Sequence, residues 1–204
     1  MNKYILIDLE WTLFNSQTIN EDILPYVLKD MSDFVSGNFA QLAESQEGFA
    51  ATSPRELVDI FQTWANGEIS NSVLKAFSEK FMESNKTLKV KAFLDISQNL
   101  RDWSERGFTI LAISRWPIAF QRLLLRNCDC GDLDPYFNDH YESTKTREGL
   151  SRTLKLIGKE YDAEPVEIIY ISSSKKDIAN AQGLGLNVKL INRESSFDLA
   201  QHPN

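Results

Sequence analysis

The sequence predicts an α/β fold: a parallel β-sheet with helices on both faces, interrupted after its first strand by an all-helical insert. Three observations predict it. Four short apolar runs recur along the chain, at Tyr4 to Leu9, Phe108 to Ile113, Ile168 to Ile171 and Val188 to Ile191. Apolar residues at helical spacing fill the intervals between the later runs. The stretch from Phe14 to about Lys91 shows helical spacing and no strand pattern.

Tyr4 to Leu9 (Tyr-Ile-Leu-Ile-Asp-Leu) is apolar without alternation until Asp8, as expected of a strand buried on both faces of a parallel sheet. The insert follows, with Ile23, Tyr26 and Val27, then Leu57, Ile60, Phe61 and Trp64, at helical spacing. Its expected limits are residues 15–91, leaving 1–14 and 92–204 as the α/β core. Leu94 to Arg106 reads as a helix stopped by Gly107, directly before the second strand. Pro117 suits a first helical turn leading through Phe120, Leu123 and Leu124. Leu150, Leu154 and Ile157 carry a third helix, ended at Gly158 or shortly after. Ile178, Ala181 and Leu184 carry a fourth, with Gly185 as its cap. Strands alternating with helices in this way imply βαβ units.

Composition narrows the function classes. With 204 residues the chain suits one α/β domain with a modest insert. A chain of this size buries roughly 70% of its unfolded surface, so it needs no structural metal or disulfide. Only two cysteines occur, Cys128 and Cys130, too few for a disulfide framework or a zinc site. The net charge is −7 and the 22 Lys plus Arg are scattered, which argues against nucleic acid as a partner. No run approaches the ~18 uncharged apolar residues of a membrane span. The N-terminus has no signal-peptide pattern. A cytoplasmic enzyme acting on a small molecule, as a monomer or small homo-oligomer, is the expectation.

Open parallel sheets bind ligands at the carboxyl ends of their strands. Asp8 and Glu10 stand at the end of the first strand, and Ser114 and Arg115 at the end of the second. Ser172 to Ser174 with Asp177 follow a later strand, and Lys145 lies in a loop between. Each type has a part in phosphoryl transfer. A carboxylate can attack phosphorus, and a second carboxylate two residues on can protonate the leaving group. Mg²⁺ takes one or two carboxylates plus phosphate oxygens. A lysine and a hydroxyl can hold the charge of the transferring group. Singly, each has a plainer reading. Asp8 could cap a helix, Ser114 could cap the helix after Pro117, Lys145 could be solvated, and Asp177 could complement a helix dipole. Their arrival together, at the right strand ends, favours the site.

Asp8-Leu9-Glu10-Trp11-Thr12 after an apolar strand resembles the Asp-x-Asp-x-Thr motif of the haloacid dehalogenase superfamily. Glu in third place is a mark of its enolase-phosphatases, the acireductone synthases of methionine salvage. The similarity extends to Ile23-Leu24-Pro25-Tyr26, to Leu100 to Ser114, to Cys130-Gly131-Asp132-Leu133 with Tyr136-Phe137-Asn138, and to Ile168 to Arg193. The resemblance implies a haloacid-dehalogenase-like (Rossmann-like) core with a small helical cap, and a Mg²⁺-dependent phosphatase working through an aspartyl-phosphate. Asp8 would be nucleophile and metal ligand. Glu10 would be acid/base and would offer its backbone carbonyl to the metal. Lys145 would balance charge between Asp8 and phosphate, Thr12 and Ser114 would bind phosphate, and Arg115 would contact substrate. Asp177 would be the second acid of the fourth motif and a metal ligand.

Four positions depart from the family pattern. Trp11 replaces a usual Gly, Arg115 a Ser and Trp116 a Gly, while Ser173 takes the place of the first fourth-motif Asp. The expectation is therefore an enolase-phosphatase or a relative with an altered substrate. The alternative is a catalytically impaired member that binds a phosphometabolite or a protein. A dehalogenase is disfavoured by Glu10, because those enzymes usually lack the second acid.

Overall fold

The computed structural model describes residues 3–15, 19, 89–116 and 118–193. The chain divides into two units, Met1–Ser16 with Lys89–Asn204, and Gln17–Leu88. The helical pattern expected within 15–91 falls almost wholly outside the described residues.

Five parallel strands form one sheet: β1 (Tyr4–Asp8), β2 (Thr109–Ser114), β3 (Asp139–Glu142), β4 (Ile168–Ser172) and β5 (Asn187–Leu190), in the order β3-β2-β1-β4-β5. Four described helices connect them: α1 (Ile96–Glu105), α2 (Ile118–Arg126), α3 (Arg147–Tyr161) and α4 (Lys175–Gln182). The four expected strands lie within a residue or so of their predicted limits. β3 was not expected. Asp-His-Tyr-Glu is an edge strand pairing only with β2 and burying only His140 and Tyr141, so it lacks an apolar run. Asn138 leads into it, its N–H donating to the Ile110 carbonyl at 2.7 Å while its Oδ1 accepts the Ile110 N–H at 2.9 Å.

The central strand explains its own sequence. Ile5, Leu6 and Ile7 are each no more than 2% exposed, so both faces of β1 are covered. One face packs Leu6, Leu111, Ile113 and Tyr170 against Leu150, Ile157 and Ala181 of α3 and α4. Removing such a side chain down to Ala costs about 2–5 kcal/mol. Helix ends follow local chemistry. Gly107, at φ +78°, lets the chain turn from α1 into β2. Thr146 caps α3 by accepting the Gly149 N–H at 3.1 Å. α3 ends shortly after Gly158, at a left-handed Asp162. The expected cap at Gly185 is displaced. α4 stops at Gln182 with Gly183 as C-cap, and Gly185 (φ +87°) instead turns the chain toward β5. The Gly183 N–H closes that last turn on the Ala179 carbonyl at 3.0 Å, and Leu184 packs on the core from beyond the helix.

Register sets the site. Asp8 pairs with Ile113 and Ile7 with Ile171, so the carboxyl ends of β1, β2 and β4 come level. The strand order reverses at β1 and β4, which is where an open α/β sheet leaves a crevice.

Candidate active site

Asp8, the last residue of β1, is 1% exposed, and both its carboxylate oxygens are held. Lys145 Nζ donates to Oδ1 at 2.7 Å, and the Glu10 N–H donates to the same oxygen at 3.2 Å. Ser172 Oγ, from the end of β4, donates to Oδ2 at 2.7 Å. Glu10 lies on a tight turn closed by the Leu13 N–H to the Leu9 carbonyl at 3.1 Å. Its Oε1 accepts the Arg115 N–H at 3.2 Å and Arg115 Nε at 3.4 Å, and its Oε2 accepts Lys145 Nζ.

One buried ammonium thus spans two buried carboxylates. The loop that delivers it is tightly specified. Lys145 adopts φ +56° just before the cap of α3, its N–H donating to Ser143 Oγ at 3.2 Å and its carbonyl accepting Asn180 Nδ2 at 3.3 Å. Trp11 adopts φ +58°. Of the three described non-glycine residues at positive φ, two therefore belong to this site. Such backbone costs about 1–3 kcal/mol each and persists where the surroundings enforce it.

The charges do not balance within the buried set. Burial pushes the Asp8 carboxyl up; Lys145 opposes this, Glu10 adds to it, and the result is about 7. For Glu10 burial also pushes upward, but Lys145, a hydrogen bond from Asp8 and Arg115 outweigh it, so Glu10 lies below the usual range. Burial pulls Lys145 down, yet the two carboxylates prevail and hold it charged. Two buried acids share one buried lysine, and the exposed Arg115 guanidinium, 3.4 Å from Glu10 Oε1, supplies a second positive charge from the solvent side.

The other expected residues flank this cluster. Thr12 is fully buried, donating to the Glu10 carbonyl at 3.4 Å and accepting the Ser173 N–H at 3.1 Å. Ser114, also fully buried, accepts the Trp116 N–H at 2.9 Å. Asp177 sits in the first turn of α4, its N–H donating to Ser174 Oγ at 3.2 Å. Among the described residues no three His, Cys, Asp or Glu side chains gather into a metal cage. Mg²⁺ needs no such cage, since it commonly keeps waters and borrows phosphate oxygens. The hard oxygens of the Asp8 carboxylate and the Glu10 carbonyl are of the kind that such a sparsely held cation takes.

Sequence reasoning passed over Ser172. It was seen at a strand end, with nothing to show that its hydroxyl reaches an acid 164 residues earlier. Asn180 and Ser143, which fix the Lys145 backbone, carried no signal beyond being polar.

No protein-family model matches the chain. Among curated proteins, Enolase-phosphatase E1 of Methylococcus capsulatus is 24% identical over 214 residues, covering 100% of this chain and 94% of that protein. Enolase-phosphatase E1 of Pseudomonas fluorescens is 26% identical over 204 residues, covering 94% and 89%. Among solved structures, the UTR4 protein of Saccharomyces cerevisiae superposes with a TM-score of 0.66 at 15% identity, covering 93% and 89%. L-2-haloacid dehalogenase of Xanthobacter autotrophicus gives 0.52 at 14%, covering 96% and 79%. The chain has the haloacid dehalogenase fold and resembles the enolase-phosphatases. A further structure with this fold, the HAD-hydrolase YfnB of Bacillus subtilis bound to magnesium, gives 0.54 at 14%, covering 97% and 92%. Asp8 and Ser172 end the neighbouring strands β1 and β4, and Lys145 reaches Asp8 from the loop after β3.

Proposed function

We propose that this chain is a phosphoric monoester hydrolase acting on a phosphorylated small molecule, with Asp8 as nucleophile. The observation that carries the reading is Lys145 Nζ bridging Asp8 and Glu10 while Ser172 fixes the second Asp8 oxygen. A nucleophile and an acid/base two residues apart are held by one cation at the end of the central strand. Resemblance along nearly the whole length of Enolase-phosphatase E1 supports the same chemistry.

Asp8 attacks phosphorus and forms an aspartyl-phosphate as the ester bond breaks. The Asp8–Glu10 pair shares one proton: as Asp8 ionises to attack, that proton passes to Glu10, which gives it to the departing alkoxide and then takes one from the water that hydrolyses the intermediate. Lys145 lowers the repulsion between Asp8 and the phosphoryl oxygens, and the Thr12 and Ser114 hydroxyls and neighbouring N–H groups receive them. Mg²⁺, when bound, would rest on the Asp8 carboxylate and the Glu10 carbonyl, with Asp177 directly or through water, and neutralise phosphoryl charge. Trp11 and Arg115 at small-residue positions favour a relative of the enolase-phosphatases with an altered substrate over that activity itself. A helical cap over 15–91 and a cytoplasmic location complete the reading. Among the described residues no helix is long and apolar enough to cross a membrane.

A second reading, a binder of phosphometabolites with impaired catalysis, draws on Ser173, which offers the site a backbone N–H to Thr12 where the family has an acid. Release of phosphate from p-nitrophenyl phosphate, with and without Mg²⁺, separates the two. Mg²⁺-dependent turnover that disappears in Asp8→Asn is expected of the hydrolase. Turnover unaffected by that change would overturn the assignment.

A further inference from the structure

We propose that Arg115 selects a substrate whose leaving group carries a second anion, a carboxylate or another phosphoryl group, next to the ester oxygen. This rests on the phosphatase reading and says which ester the site takes. The two cations of the site are placed differently. Lys145 is 5% exposed and spends its ammonium on Asp8 and Glu10 Oε2. Arg115 binds the other oxygen, Oε1, through its backbone N–H at 3.2 Å and Nε at 3.4 Å, and its side chain is 62% exposed. Glu10 therefore separates a buried cation on the Asp8 side from an open one on the far side.

The open side is where an alcohol must leave. Attack by Asp8 requires the departing oxygen opposite the nucleophile, within hydrogen-bond reach of Glu10, which supplies its proton. A group two to four bonds beyond that oxygen lies beside Arg115. The Nε contact uses one of the five guanidinium N–H groups, and the four on the two terminal nitrogens have no ion-pair partner among the described residues. Those nitrogens form the planar fork that matches carboxylate or phosphate with two parallel hydrogen bonds. A neutral leaving group leaves the fork to water and gains nothing from it. The tether to Glu10 matters as well, because it fixes the fork at one distance from the scissile bond.

Matched substrates test this. Initial rates are measured in Mg²⁺ for 2-phospholactate, for its uncharged amide, and for propane-1,2-diol bisphosphate against the 1-monophosphate. For the wild type, kcat/KM is expected to be about ten-fold or more higher for the charged member of at least one pair, the scale of a charge-assisted bidentate contact. The pair showing the preference tells carboxylate from phosphoryl. In Arg115→Met that ratio should fall toward one, whatever factor both members lose in common, and Arg115→Lys should recover only part of it. Ratios near one in the wild type, or a preference that survives Arg115→Met, overturn the proposal while leaving hydrolysis itself in place. No phosphate released from any of the four esters, with no shift of the melting temperature by inorganic phosphate, sinks the phosphatase reading and this proposal with it.

Discussion

Replacing Asp8 with Asn should destroy turnover and at the same time make the cation-free protein more stable. Asp8 is 1% exposed and shares one lysine with a second buried acid. Its carboxyl is moved from an ordinary 3.8 to about 7, chiefly by burial. At about 1.4 kcal/mol per pH unit, ionising it inside the folded protein costs about 4 kcal/mol. Asn carries no charge and nearly the same shape. Its carboxamide oxygen can keep the Lys145 and Glu10 N–H bonds, and its amide can donate to Ser172 Oγ, whose proton must then turn elsewhere. Weaker, uncharged hydrogen bonds take back about 1–2 kcal/mol, leaving about 2 kcal/mol. For a chain of this size that is a rise in Tm of about 4–8 °C.

The effect has a definite pH window. The folded value lies above the unfolded one, so the folded protein holds the proton longer. The contribution of Asp8 is therefore most favourable below pH 3.8 and is lost as the pH rises to about 7. Thermal melts in EDTA from pH 4.5 to 8 should show the two proteins diverging as the pH rises, with Asp8→Asn the more stable at the alkaline end. If the variant melts lower at pH 8, or if the difference is the same at every pH, the electrostatic account of this site is wrong.

Further perturbations separate the remaining roles. Glu10→Ala should slow the chemical step by roughly 10²–10⁴-fold while Mg²⁺ affinity, titrated calorimetrically, survives; collapse of affinity would make the side chain a ligand. Asp177→Asn should weaken Mg²⁺ binding, and Ser173→Asp should tighten it and raise activity; unchanged affinity in the first variant would reduce Asp177 to a helix-start acid. Ser172→Ala frees Asp8 Oδ2 from its 2.7 Å bond and should lower kcat about ten-fold, the scale of one hydrogen bond, with KM little changed; a rise in KM alone would count against a positioning role. Gly149→Ala puts a Cβ 2.3 Å from Thr144 Oγ1. Thr144 must then turn away from Thr146, disturbing the loop of Lys145, so kcat should fall without loss of the fold by circular dichroism; an undisturbed rate would show that the loop absorbs the change.

What the sequence determined by itself is local. An unbroken apolar run marks β1 because both its faces are buried, and the acid ending that run can only sit at the sheet rim. Gly107 and Thr146 announce a helix end and a helix start because their backbone and side-chain chemistry acts within three or four residues. β3 stayed hidden for the complementary reason: an edge strand buries too few side chains to leave a pattern in Asp139-His140-Tyr141-Glu142. The spacing carries the fourth helix too far, because Leu184 keeps helical spacing while the chain has already turned at Gly183. The roles of Asp8, Glu10 and Lys145 were legible as types at strand ends and through resemblance. Tertiary structure alone decided that one ammonium spans both acids, that Ser172 holds the nucleophile, and that Arg115 takes the outer oxygen of Glu10. Those contacts depend on strand register, which brings together residues more than a hundred positions apart. Hydrogen bonds of about 3 Å are set by that alignment, and nothing in the neighbouring residues encodes it.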